Sequence, residues 1–158
     1  MTLWWRKIPE FALDVATETI STFAQLGLSP ATLKTITKIG YETPSPIQSA
    51  FIPIALTGRD CIGQARTGTG KTAAFMLPAM ERLEVAKGRV QLLVMAPTRE
   101  LGEQVHAESM KLSGTSKLKF ALAVGGRPIG RQIDDLEGGA HVVIGTPGRV
   151  IDLLRRQH

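Results

Sequence analysis

The sequence predicts an α/β domain built on a parallel sheet with helices on both faces. Three observations carry that prediction. From residue 61 onward, apolar strand-like runs alternate with helical patterns. The runs are continuously apolar, as strands buried on both faces are, and do not alternate polar with apolar. Glycines, prolines and isolated charges cluster just after the runs, where open α/β sheets gather their ligands beyond the strands' carboxyl ends.

Residues 1–21 read as an extension outside the core. Phe11, Val15 and Ile20 give only a weak helical face, and Trp4-Trp5 look exposed or partner-seeking. From Phe23 the signals sharpen. Ser29-Pro30 is a cap followed by proline at the first helical position, and Gly40 stops that helix. Ser45-Pro46 repeats the device and opens a helix to about Leu56. Cys61–Ala65 reads as a strand and Gly70–Leu83 as a helix. Val90–Ala96 is a strand, Thr98 to about Leu112 a helix, and Leu118–Val124 a strand that Gly125-Gly126 break. Ile129–Leu136 is a short helix, His141–Ile144 a strand and Pro147–Arg156 a helix. No internal repeat or low-complexity tract interrupts this order.

Composition narrows the function classes. The 158 residues, 43% hydrophobic, suit one soluble domain with a core of ordinary size. Lysine and arginine outnumber the acids 19 to 14, a net charge of +5 that fits either a polyanion partner or a merely solvated surface. The single cysteine, Cys61, excludes an intramolecular disulfide framework and reads as a small apolar residue on a buried strand. His106, His141 and His158 lack zinc-site spacing. No apolar run approaches the roughly 20 residues that span a bilayer. The start of the chain has neither the charge order nor the apolar length of a secretory signal, so a cytoplasmic protein without a membrane partner is expected.

The segment Ala65-Arg66-Thr67-Gly68-Thr69-Gly70-Lys71-Thr72 carries the most chemistry. A loop free of bulky side chains lets successive N–H groups face phosphate oxygens, and the positive end of the next helix adds to them. Lys71 can reach the β- and γ-phosphates, and the Thr72 hydroxyl can ligate Mg²⁺, which points to a nucleoside triphosphate. The general pattern G-x-x-x-x-G-K-[ST] is broken, because Ala65 stands at its first glycine. Arg99 sits at a helix start, where a cation opposes the dipole. It suggests a nearby phosphate, or else a salt bridge to Glu100, Glu103 or another acid.

Taken together, these segments resemble the amino-terminal RecA-like domain of DEAD-box ATP-dependent RNA helicases. Gly40 to Gln48, with Phe23 upstream, is similar to the family's Q motif, and Ala65–Thr72 to its form of Walker A, where alanine is usual at the departing position. Pro97-Thr98-Arg99-Glu100-Leu101 resembles motif Ia, although Gly102 stands where alanine is more usual. Gly125-Gly126 resembles the paired-glycine element, and Thr146-Pro147-Gly148-Arg149 resembles motif Ib.

The resemblance implies ATP and Mg²⁺ as cofactors and RNA as a partner gripped by its backbone. It places Phe23, Tyr41, Thr43, Gln48 and Arg66–Thr72 (Arg66, Thr67, Gly68, Thr69, Gly70, Lys71, Thr72) at the nucleotide, with Lys71 and Thr72 in the catalytic and metal-binding roles. Gln48 would read adenine, because an amide donates and accepts at once. Tyr41 or Phe23 would stack on the base or support it. Pro97, Thr98, Arg99, Glu100, Gly125, Gly126, Arg127, Thr146, Pro147, Gly148 and Arg149 would line the RNA track, without sequence preference.

The family's D-E-A-D acids do not occur in this sequence, and Asp134-Asp135-Leu136-Glu137 is the nearest acidic cluster. Residues 22–158 therefore read as a partial RecA-like domain, expected to bind nucleotide without hydrolysing it. In the family's sheet the D-E-A-D and S-A-T strands separate the Walker A strand from the motif Ia strand, which leaves Cys61–Ala65 without a direct neighbour. The chain is then a fragment lacking these strands and the carboxy-terminal RecA-like domain, or borrows strands from a second copy, or has a poorly ordered P-loop region. Two readings of other classes stand beside this one. One is a non-catalytic RNA- or partner-binding module using Trp4-Trp5, and the other is a P-loop kinase.

Overall fold

The computed structural model describes residues 22–158, so the expectations for Phe11, Trp4-Trp5 and their neighbours lie outside the described residues. A 3-10 turn at Phe23–Leu26 leads into α1 (Pro30–Lys38) and α2 (Pro46–Leu56). There follow α3 (Lys71–Met80), a second 3-10 turn (Val85–Lys87), β1 (Leu92–Met95), α4 (Arg99–Ser113), β2 (Phe120–Ala123), α5 (Ile129–Glu137), β3 (Val142–Gly145) and α6 (Pro147–Arg155). Ser29 caps α1 by accepting from the Thr32 N–H, and Pro30 fills the first position, where no N–H is needed. Helix α3 is shorter than expected, because the chain tightens into i→i+3 bonds at Arg82 and Leu83.

The three strands form one parallel sheet in the order β1-β3-β2. Leu92 to Met95 pairs with Val142 to Gly145 on one side, and Phe120 to Ala123 pairs with the same residues on the other. All of β3 is buried. On one face, Leu92, Val94, Phe120, Leu122, Val142 and Ile144 join the larger core with Ile36, Ile52, Met76, Leu77 and Val105 of the first four helices. Each such side chain contributes about 1.5–3 kcal/mol on burial. On the other face, Ala121, Ala123 and Val143 pack against Ile129, Ile133 and Leu136 of α5 and Val150 and Leu153 of α6. That cover stops short of β1, where Leu93 and Met95 stay 49% and 46% exposed.

The expected strand at Cys61–Ala65 is not formed. The segment belongs to none of the sheet's strands, Cys61 is half-buried, and Ile62 is 80% exposed. It runs beside α2, close enough that a Cβ on Gly63 would lie 2.8 Å from the Phe51 ring. The reason is physical: an apolar run becomes a strand only where a neighbour takes its N–H and C=O groups, and the three strands present exclude it. Cys61 is accordingly not on a buried strand.

Candidate functional site

The glycine-rich loop between residue 65 and α3 is shaped by two left-handed glycines, Gly68 (φ +78°) and Gly70 (φ +82°), a conformation that side-chain-bearing residues rarely adopt. Gly70 is the N-cap of α3, so its carbonyl starts the helix by accepting from the Ala74 N–H. The Lys71 ammonium folds back into the loop, donating to the Arg66 carbonyl at 2.8 Å and to the Ala65 carbonyl. A cation is thus held at the centre of the turn, on carbonyls that an anionic ligand can replace. Thr69 Oγ1 donates to the Arg66 carbonyl at 2.8 Å.

Helix α2 clasps this loop from the side. Gln48, at the third helical position, accepts from the Ser45 N–H at 2.9 Å, which is half of a capping box. The Ser45 side chain faces the Gln48 N–H, which is the other half. Its hydroxyl donates to the Thr69 carbonyl at 2.7 Å, and Gln48 Nε2 donates to the Gly70 carbonyl at 3.2 Å. Gln48 is only 3% exposed, and half of its amide's bonding capacity is used within the protein. By inventory it keeps one N–H and one lone pair.

Phe23 is buried in the core and meets Tyr41 edge-on, with ring centroids 5.8 Å apart. Its position suits support of Tyr41. Tyr41 donates from its hydroxyl to Glu108 on α4 at 2.8 Å. Burial first, then the Glu108 carboxylate, pushes the phenol up to about 12. Thr43 lies exposed in the loop before α2. Tyr41 is the only tyrosine in the chain, so tyrosinate absorbance reports it alone. We expect a midpoint near 12 in the folded protein against 10.0 for the free phenol. The folded state holds the proton longer, so this group's contribution is complete below pH 10 and is lost as the pH rises toward 12. Glu108→Gln should lower the midpoint partway, because burial remains, and an unmoved midpoint would contradict the geometry.

The second group of candidates gathers at the carboxyl ends of the three strands. Thr98, after β1, caps α4 by accepting from the Leu101 N–H at 3.2 Å. Arg99 follows, and its 3.5 Å approach to Glu100 is an exposed pair at the limit of a hydrogen bond. After β2, Gly126 takes a left-handed turn (φ +75°) and lies against the Arg99 guanidinium, which a Cβ there would overlap. Arg127 pairs with Glu103 at 2.9 Å. Arg149, at the start of α6, donates to the Arg127 carbonyl at 3.2 Å. The Thr146 N–H donates to the Ala123 carbonyl at 2.9 Å, and Gly145, the last residue of β3, fits against Ala123 and Val150. Pro97, Thr98, Arg99 and Glu100 thus share one end of the sheet with Gly125, Gly126, Arg127, Thr146, Pro147, Gly148 and Arg149. Gly102, the departure from the family's pattern, faces Val124, whose side chain a Cβ would approach at 3.2 Å.

Sequence reasoning missed Gln132. It is 4% exposed and donates to the Val124 carbonyl at 3.0 Å, bracing the backbone just before Gly125-Gly126. Its Oε1 has no partner. The signal was present, because Gln132 interrupts the apolar stripe of Ile129, Ile133 and Leu136.

Comparison with known proteins agrees with this arrangement. The family model for DEAD/DEAH box helicases matches residues 45–158. The chain belongs to that family. It is 47% identical over 137 residues to the DEAD-box ATP-dependent RNA helicase CshA of Geobacillus kaustophilus, covering 87% of this chain and 29% of that protein. To the RNA helicase CrhR of Synechocystis it is 51% identical over 138 residues, again 87% of this chain, and 28% of the relative. A crystal structure of a DEAD box protein from Methanococcus jannaschii superposes with a TM-score of 0.81 at 39% identity, covering 87% of this chain and 38% of that one. The fold is therefore a partial RecA-like helicase domain, and the chain spans under a third of the length of these two curated helicases. Among the described residues, no helix is long and apolar enough to cross a membrane.

Proposed function

We propose that this chain is the nucleotide- and RNA-contacting front part of a cytoplasmic DEAD-box helicase that remodels or unwinds RNA using ATP. The observation that carries the reading is the clasped glycine-rich loop: α2 grips its carbonyls while the Lys71 ammonium sits within the turn.

In this reading the triphosphate takes the place of the Ala65 and Arg66 carbonyls on Lys71, and the N–H groups of residues 67–72 bind its oxygens. Gln48 offers its remaining donor and acceptor to adenine, with Thr43 and the Phe23-supported Tyr41 beside the base. The loop's donor set also fits Mg²⁺ carried by the nucleotide. Thr72 offers one hydroxyl at the head of α3, and Mg²⁺ commonly takes one or two protein ligands with phosphate and water. The bound ion would neutralise phosphate charge during transfer. Residues 97–100, 125–127 and 146–149 bind the RNA backbone from one end of the sheet, which favours no base sequence. Residues 1–158 alone bind nucleotide without hydrolysing it, because they carry no D-E-A-D acids, and Asp134-Asp135, the cluster most like them in sequence, lies on α5.

A titration of the chain with ADP and with GDP tests the assignment. Tighter ADP binding, lost in Lys71→Ala, is the expected result. Equal affinity for the two would remove Gln48 from base recognition, and unchanged binding by the lysine variant would remove the loop from the site.

A further inference from the structure

Among the described residues the outer edge of β2 has no strand beside it, since β2 pairs only with β3. That edge opens into a cleft of about 840 Å³ between α4 and α5. We propose that the cleft binds an extended protein segment, added to the sheet as a further strand, in which aliphatic residues alternate with lysine or arginine.

The alternation follows from the walls. Side chains of a strand point to opposite faces in turn. On the α4 side the incoming strand meets half-buried Phe120 and Leu122 and the 49% exposed Met110, an apolar wall. On the α5 side it meets Asp134 and Asp135, with Gly138 beside them. Carboxylates at that rim suit a long cationic side chain, whose head reaches the acids.

Charge favours a cation for a second reason. Of the three basic side chains lining the cleft, Arg127 is engaged with Glu103 and Lys119 with the Gly138 carbonyl at 2.7 Å, while His106, facing Asp135, is kept neutral by burial, which lowers its pKa. The side chains of Asp134 and Asp135 make no ion pair or hydrogen bond among the described residues. The uncommitted charge is negative, which favours a basic peptide and disfavours RNA. Main-chain hydrogen bonds would supply affinity and the two walls specificity, as in other strand additions. This surface is separate from the clasped loop and acts without nucleotide.

The test uses the chain of residues 1–158 and short synthetic peptides. A fluorescein-labelled peptide alternating valine with lysine should bind, and amide shifts in the NMR spectrum should move at residues 119–122 and 134–135. A valine–glutamate peptide, and a lysine peptide with proline at alternate positions, should not bind. Asp134→Asn with Asp135→Asn changes only exposed side chains, and circular dichroism checks that it folds. It should weaken the lysine peptide about three- to tenfold, the range that two exposed ion pairs supply. Equal binding of the acidic peptide, an unchanged affinity in the double variant, or shifts confined to β1 would overturn the proposal. So would competition by polyuridine with shifts at these residues, which would assign the cleft to RNA. Concentration-dependent dimerisation with those shifts would assign it to a second copy and overturn it equally.

Discussion

Gly145→Ala is expected to lower the unfolding free energy by about 3 kcal/mol, the upper end of what overpacking costs. A methyl group at this position would lie 2.6 Å from Val150 Cγ2 and 2.7 Å from the Ala123 carbonyl oxygen. The second of these is backbone of the neighbouring strand, so it cannot rotate away. Relief requires β2 to part from β3, or α6 to lift from the sheet. Gly125→Ala and Gly148→Ala are the matched controls, since a Cβ at either meets nothing within 4 Å. Both should change stability by no more than about 0.5 kcal/mol. Urea denaturation followed by circular dichroism reads all three. A Gly145→Ala protein as stable as its parent would refute the close approach of β3, α6 and β2.

The second large effect is expected at Gln48. Replacing it by glutamate keeps an oxygen for the Ser45 N–H and turns the donor facing the Gly70 carbonyl into a second acceptor. At 3% exposure, water cannot relieve the repulsion. We expect a loss of about 3 kcal/mol at neutral pH, narrowing on acidification as the carboxyl takes a proton and regains a donor. Gln48→Ala removes both bonds without adding charge and should cost about 1–3 kcal/mol at any pH. Ser45→Ala loses the bond to the Thr69 carbonyl and its half of the capping box, and should cost about 1–2 kcal/mol. In both Gln48 variants the amide resonances of residues 69–71 should shift. A glutamate variant with parental stability and an unperturbed loop would mean that the clasp does not hold it.

Most of the architecture was legible in the residues, and the exceptions share one cause. Helices carry their own hydrogen bonds, so caps such as Ser29-Pro30 and Ser45-Pro46 locate them without reference to the rest of the chain. Strands at β1, β2 and β3 were also legible, because each apolar run has a partner in the same chain. Cys61–Ala65 has the composition of a strand and no partner, and composition cannot reveal that. Strand order does reveal it, by leaving that segment without a neighbour. At the site, the glycines and Lys71 could be picked out by type and spacing. The engagement of Gln48 with Gly70 could not, since a residue on α2 and one before α3 meet only through folding. Gln132 was overlooked because a polar residue among Ile129, Ile133 and Leu136 resembles a flaw in a helical stripe, whereas here it braces a turn.

The bare flank of β1 has a practical consequence. Half-exposed Leu93 and Met95 stand beside a row of main-chain groups that no strand among the described residues takes up, a template on which like molecules can stack. Solutions of this polypeptide should turn cloudy as they are concentrated, and a lysine introduced at position 93 should keep them clear.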